Sequence, residues 1–146
     1  PTDREALCAW TDLCLEHERW ARAAELSLAL SESAGARGLG LSRAARAYSA
    51  LRRYPQALAA ARAACDHDPA LLHTETAADL AVALASGRRL MDAERLLAPL
   101  LQSQDPRLRA VAELAQETAR KLNAPAIDSR DLREPWTPGQ GAPPPK

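Results

Sequence analysis

Apolar and polar positions follow a helical period most clearly over residues 107–122. Apolar residues recur there every three or four positions, and charged residues occupy positions between them. That spacing places the apolar side chains along one face of a helix. Glu117 and Lys121 lie four residues apart, the spacing of a helical ion pair. We predict a closing helix whose apolar stripe is formed by Leu108, Val111, Ala112, Ala115, Ala119 and Leu122.

Glycine and proline divide the earlier part of the chain into segments of similar length. Helices commonly start or stop at these residues. The segments between them are rich in Ala, Leu, Arg and Glu, which are good helix formers. We therefore predict helices at about residues 3–17, 20–34, 41–52, 55–67, 73–86, 90–103 and 107–122.

Individual prolines refine these helix boundaries. Pro55 suits a first helical turn, where its missing N–H costs nothing. Pro69 and Pro106 each follow an aspartate and are predicted to end a helix, because the residue before a proline avoids the helical conformation. Pro99 lies inside AERLLAPLLQ and is predicted to kink that helix or to loosen its hydrogen bonds.

The helical segments repeat along the chain. Trp20 and Tyr54 are 34 residues apart, and so are Ala23 and Ala57, while Ala93 follows 36 residues later. A small side chain at these positions lets two helices of a hairpin approach to about 8–10 Å. The predicted unit is a helix hairpin of roughly thirty-four residues.

Composition supports an all-α fold. The chain contains no Phe, three Trp and two Tyr, and its only Val or Ile residues are Val82, Val111 and Ile127. Strands favour β-branched and aromatic residues, so little of the sequence suits a sheet.

Charge and hydropathy exclude several classes of function. Nineteen basic and nineteen acidic residues cancel, which argues against a nucleic-acid partner. No run of eighteen apolar residues predicts a transmembrane helix. The opening PTDREAL lacks a basic and then apolar leader, and we expect a soluble, cytoplasmic location. Whether the chain is a mature form or an excised piece stays open.

The chain resembles a tetratricopeptide-repeat domain over about residues 4–122. Tyr48, Tyr54, Ala57, Ala64 and the Asp68-Pro69 ending match the signature positions of that family. The resemblance implies a right-handed superhelical stack of about three helix hairpins, closed by a capping helix. The copies would be residues 4–37, 38–71 and 74–106, with the cap at 107–122 and a Pro-rich, extended or disordered tail at 123–146.

The resemblance also implies a concave groove lined by the first helix of each hairpin. That groove would bind a peptide or helix of a partner protein. The candidate groove residues are Glu5, Cys8, Asp12, Glu16, Ser42, Arg43, Arg46, Ser49, Glu75, Asp79, Val82 and Ser86.

Arg43 and Arg46 share a helical face and suit bidentate recognition of carboxylates. The alternative is that both arginines form ion pairs with acids of neighbouring repeats. Some family members grip the C-terminal carboxylate of chaperones with Lys and Asn at set groove positions. Asp12, Glu75 and Asp79 occupy such positions here, so we expect no binding of a chaperone tail ending in EEVD.

Catalytic and cofactor motifs are not recognisable. CDHDP (residues 65–69) clusters potential metal ligands, but adjacent residues on a helix point in different directions and no second ligand pair follows. GARGLG (residues 35–40) lacks the preceding strand and the Lys of a phosphate loop, which favours an inter-repeat loop. Cys8, Cys14 and Cys65 are expected to be free, partly buried thiols. We predict a non-enzymatic protein without metal or cofactor.

Two functions stay open. The first is a scaffold or adaptor that holds a peptide or helix in its groove. The second is a structural module that assembles with itself or docks into a larger complex, so a monomer and a homodimer are both possible. Trp136, an isolated ring in the tail, either folds back into the groove, docks a partner, or belongs to a plain linker.

Overall fold

The computed structural model of the chain describes residues 3–123. Residues 3–123 form helices that are joined by short connections, and they contain no strand, as the composition predicts. Its elements are α1 (Asp3–Glu16), α2 (Trp20–Ser31), α3 (Arg37–Ala50), α4 (Tyr54–His67), a 3₁₀ turn (Pro69–His73), α5 (Glu75–Ser86), α6 (Leu90–Leu101) and α7 (Pro106–Asn123). The tail and Trp136 lie outside the described residues.

The helices pack mainly against their neighbours in the chain. Each even-numbered helix contacts the odd-numbered helices before and after it. The odd-numbered helices also contact one another in order, weakly from α1 to α3 and more extensively from α3 to α5 and from α5 to α7. The odd-numbered helices therefore form one continuous layer, which we call the odd layer.

The connections α1–α2, α3–α4 and α5–α6 share one backbone geometry. Glu18, Arg52 and Arg88 adopt the left-handed conformation, with φ of 56°, 60° and 66°. The amide N–H of the residue after each donates back to a carbonyl five residues earlier, over 2.8, 2.9 and 3.0 Å. This hydrogen bond is the Schellman motif that closes a helix. The hairpin is therefore a unit that recurs three times in the described chain.

Glycine usually occupies this left-handed position, because a Cβ there costs about 1–2 kcal/mol. Replacing Glu18 by glycine is expected to raise the free energy of unfolding by about 0.5–1 kcal/mol, after allowance for the extra freedom of glycine in the unfolded chain. Urea unfolding measures the change. The control is Glu25→Gly in the exposed face of α2, which should lose about 1 kcal/mol. Destabilisation by both variants would contradict the left-handed geometry at Glu18.

The alanines that define the repeat are all fully buried. Ala23, Ala57 and Ala93 are each 0% exposed, as expected of small residues between packed helices. The main core extends from α3 to α7, and a smaller cluster joins α2 to α3 through Ala23, Ala24 and Ala47. Tyr48 packs against both clusters and so links them.

Two boundary predictions were wrong. Part of GARGLG is helical, since α3 begins at Arg37 instead of residue 41. Pro106 begins α7, and α6 already ends at Leu101. Proline fits such a first position because its missing N–H has no helical partner there. The helix α6 continues through Pro99.

Candidate functional site

The odd layer contains two adjoining cavities, which together we call the groove. The first has a volume of about 430 Å³ and lies where α1, α3 and α5 meet. Charged side chains dominate its lining, with Leu15, Trp20 and Thr76 beside them. The charged and hydroxyl groups are Asp12, Glu16, Ser42, Arg43, Arg46, Glu75 and Asp79.

The second cavity has a volume of about 460 Å³ and lies between α3, α5 and α7. Its walls are mostly apolar, and Arg46 and Asp79 belong to both cavities. The apolar lining is formed by Ala50, Tyr54, Ala78, Val82, Val111, Leu114, Ala115 and Leu122. Besides Arg46 and Asp79, the polar lining is formed by Ser49, Arg52, Thr118 and Lys121.

The structure brings most of the sequence-predicted groove residues together. Asp12, Glu16, Ser42, Arg43, Arg46, Glu75 and Asp79 line the first cavity, and Ser49 and Val82 line the second. Glu5, Cys8 and Ser86 line neither of these two cavities. Cys8 instead lies over Asp12, with its Sγ 3.9 Å from the Asp12 carboxylate.

The two arginines are held by acids from other helices. Nε of Arg43 donates to Oδ1 of Asp12 over 2.6 Å, which ties α3 to α1. Nη2 of Arg46 lies 3.9 Å from Oε2 of Glu75, and Nη1 of Arg46 lies 3.7 Å from Oδ1 of Asp79. Both acids belong to α5. The alternative of intramolecular pairing therefore describes the ligand-free groove. The half-exposed Arg46–Glu75 pair contributes at most about 1 kcal/mol, so a ligand could displace it.

Asp79 differs from the other groove acids because it is buried, with only 7% of its surface exposed. Burial raises the pKa of its carboxyl from the ordinary 3.8 to about 6. Arg46 lowers this pKa and Glu75 raises it. Burial is the largest of these effects and outweighs the attraction of Arg46. A perturbed carboxyl where two cavities meet is a common mark of a functional site.

The contribution of α7 was not anticipated from the sequence. The closing helix was expected only to cover the stack, and its stripe does pack against the core through buried Ala112, Ala115 and Ala119. The same helix also presents Leu114, 66% exposed, to the second cavity. The alternation of the helices indicates this role, because a seventh helix takes the same place in the array as the first helix of a further hairpin and so continues the odd layer.

Basic groups surround the second cavity. Lys121 pairs with Glu117 over 3.0 Å, as the sequence predicts. Arg52 lines the cavity and has no ion-pair partner among residues 3–123. The groove thus changes from mixed charge at α1 to apolar walls with basic groups at α7.

The CDHDP segment has a structural role. Asp68 accepts a hydrogen bond from the backbone N–H of Ala70 over 3.2 Å and so caps the 3₁₀ turn. Burial raises the pKa of the Cys65 thiol, and Asp66 and Asp68 raise it further. A thiol held protonated in this way is a poor nucleophile or metal ligand.

Residues 3–123 contain neither a cluster of metal-binding side chains nor a membrane-spanning helix. No group of three or more His, Cys, Asp or Glu side chains there is arranged to hold a metal ion. None of the helices in that range is both long enough and apolar enough to cross a membrane.

Comparison of the chain with protein-family models, curated proteins and solved structures gives no match.

Proposed function

We propose that this chain is a tetratricopeptide-like binding scaffold that holds a peptide or helix of a partner protein in its groove. The supporting observation is the pair of cavities along the odd layer, joined at Arg46 and Asp79. In the proposed arrangement the three hairpins form a right-handed superhelical stack. The odd layer is its concave side, and the protein acts as an adaptor without catalytic activity.

The two cavities favour different parts of a ligand. The second cavity, with its mostly apolar walls, suits an apolar side chain of the ligand. The first cavity suits a polar segment that exchanges hydrogen bonds with Arg43 and the acids around it. Binding there must replace the Arg43–Asp12 pair, so a ligand gains mainly from the apolar end.

Leu114→Glu tests the groove directly, because this exposed side chain can be changed without opening the core. Peptides selected from a random library on the wild-type chain are expected to bind Leu114→Glu at least about tenfold more weakly, because a charge then faces the apolar cavity. Fluorescence anisotropy of labelled peptides gives the dissociation constants.

Met91→Glu is the matched control. Met91 is 71% exposed on α6 and lines neither cavity, so this variant should bind selected peptides like the wild type. A peptide ending in EEVD should not bind any of the three proteins, because of the acids Asp12, Glu75 and Asp79. Equal binding by Leu114→Glu and the wild type would place the ligand elsewhere.

A further inference from the structure

The outward face of α1 carries exposed apolar side chains. Trp10 is 59% and Leu13 is 52% exposed. The only buried residue of this fourteen-residue helix is Thr11. An amphipathic helix of a globular domain normally covers its apolar side chains, whereas the packing of α1 within its own chain leaves these two in solvent.

A cavity lies beside these side chains, between α1 and α2. Its volume is about 620 Å³. Leu26 of α2, which is buried, and Cys14 of α1, which is partly buried, are the least exposed residues of its lining. Trp10, Leu13, His17, Arg19 and Arg22 complete the lining. The surface, which we call the α1–α2 face, therefore contains both projecting apolar side chains and a hollow large enough to receive such a group.

The opposite end of the helix array is different. The solvent face of α7 carries Glu113, Gln116, Glu117, Arg120 and Lys121 around a shallow depression. A helical stack needs such polar end faces to remain soluble, and at the α1 end the exposed Trp10 and Leu13 interrupt the polar surface. Head-to-tail growth would press Trp10 onto these charges, so repeated stacking is disfavoured.

Charges around the α1–α2 face are balanced. Arg19 and Arg22 line the cavity. Glu18 precedes Arg19 in the chain, and Oε1 of Glu25 lies 3.5 Å from Nη1 of Arg22. A two-fold axis can place the arginines of one copy opposite the glutamates of another. The formal net charge of the chain is zero, so two copies do not repel each other at long range.

We propose that a second copy of this chain covers the α1–α2 face, forming a two-fold symmetric dimer. In this dimer Trp10 of each copy enters the α1–α2 cavity of the other, because a two-fold interface requires a surface that is complementary to itself. Large, half-exposed tryptophans commonly dominate the energy of such interfaces.

This dimer leaves the groove open. Asp12, Leu15 and Glu16 of α1 line the first cavity. Given the 100° step per residue of a helix, Trp10 lies about 120–160° around α1 from all three, whereas Leu13 lies between Trp10 and the edge of the groove, about 60° from Glu16. Each dimer would therefore present two grooves, and a partner with two binding segments would gain avidity from both.

Sedimentation equilibrium and light scattering on the 146-residue chain, from about 1 to about 100 µM, test the proposal. We expect the wild-type mass to rise from that of a monomer to that of a dimer and no further. Trp10→Glu and Leu13→Glu should weaken dimerisation at least tenfold, with unchanged helical circular dichroism. If one of them unfolds, the other still provides the test.

Leu114→Glu is the matched control, since it places the same charge on an exposed leucine at the other end of the array and should dimerise like the wild type. A monomeric wild type over the whole range would overturn the proposal. Growth beyond a dimer, wild-type association by both α1 variants, or loss of the dimer in Leu114→Glu would overturn it too. Peptide binding is measured separately, so its failure and failure of the dimer are distinguishable.

Discussion

Gly40→Ala is expected to lower the free energy of unfolding by about 3 kcal/mol, the upper range for overpacking a core. A Cβ at Gly40 would lie 2.6 Å from Cα of Ser31 and 2.7 Å from the carbonyl oxygen of Ser27, and closer still to the amide nitrogen of Ser31. These are backbone atoms of α2, so no side-chain rotation relieves the clash. The helices α2 and α3 would have to separate.

Gly38→Ala is the control for this change, in the same helix and with the same substitution. A Cβ at Gly38 would lie 3.5 Å from the His67 ring and 3.6 Å from Leu71, both ordinary contacts. Alanine favours a helix over glycine, so Gly38→Ala should stabilise the protein by about 0.5 kcal/mol. Urea unfolding measures both. A Gly40→Ala variant as stable as the wild type would show that α2 and α3 do not touch at Gly40.

Asp79→Asn is expected to change the pH dependence of stability. The pKa of Asp79 is raised to about 6 in the folded protein, so between about pH 4 and pH 6 the folded state holds a proton that the unfolded chain has released. This contribution is complete below the unfolded pKa and is lost as the pH rises through about 6. A shift of about two units corresponds to about 3 kcal/mol.

The measurement is the difference in unfolding free energy between Asp79→Asn and the wild type, from pH 4 to pH 7.5. Asparagine cannot ionise, so this difference should move in favour of the variant by up to about 3 kcal/mol as the pH rises. The groups facing Asp79 are Arg46 on α3 and Glu75 on α5. Glu75→Gln is the control and should keep most of the wild-type decline, because burial is the largest cause of the shift. If the difference in unfolding free energy between the variant and the wild type did not change with pH, the pKa of Asp79 would not be raised by burial.

The sequence predicted the helices well where their signals were local. Apolar periodicity identified α7, and the spacing of Ala23, Ala57 and Ala93 identified three buried positions of the repeat. The start of α3 at Arg37 is not predicted, because Gly38 and Gly40 favour a loop when only local propensity is considered. Glycine has a low helix propensity, but close contact with α2 outweighs it and makes Gly40 the residue that fits.

The candidate site was predictable in part. Nine of the twelve predicted residues line the groove, seven of them on α3 and α5 and the other two, Asp12 and Glu16, on α1, because a helical face can be read from spacing alone. The burial of Asp79 could not be read that way. It depends on how closely α3 and α7 pack against α5, and such contacts join residues far apart in the chain.

The amino-acid sequence by itself determined an all-helical chain of repeated hairpins, since helix propensity, proline and glycine positions and small residues act over a few residues. Tertiary structure alone decided that α7 joins the groove, that Arg43 and Arg46 are paired across helices, and that Trp10 and Leu13 lack a cover. Each of these depends on the relative placement of whole helices, which local spacing does not encode.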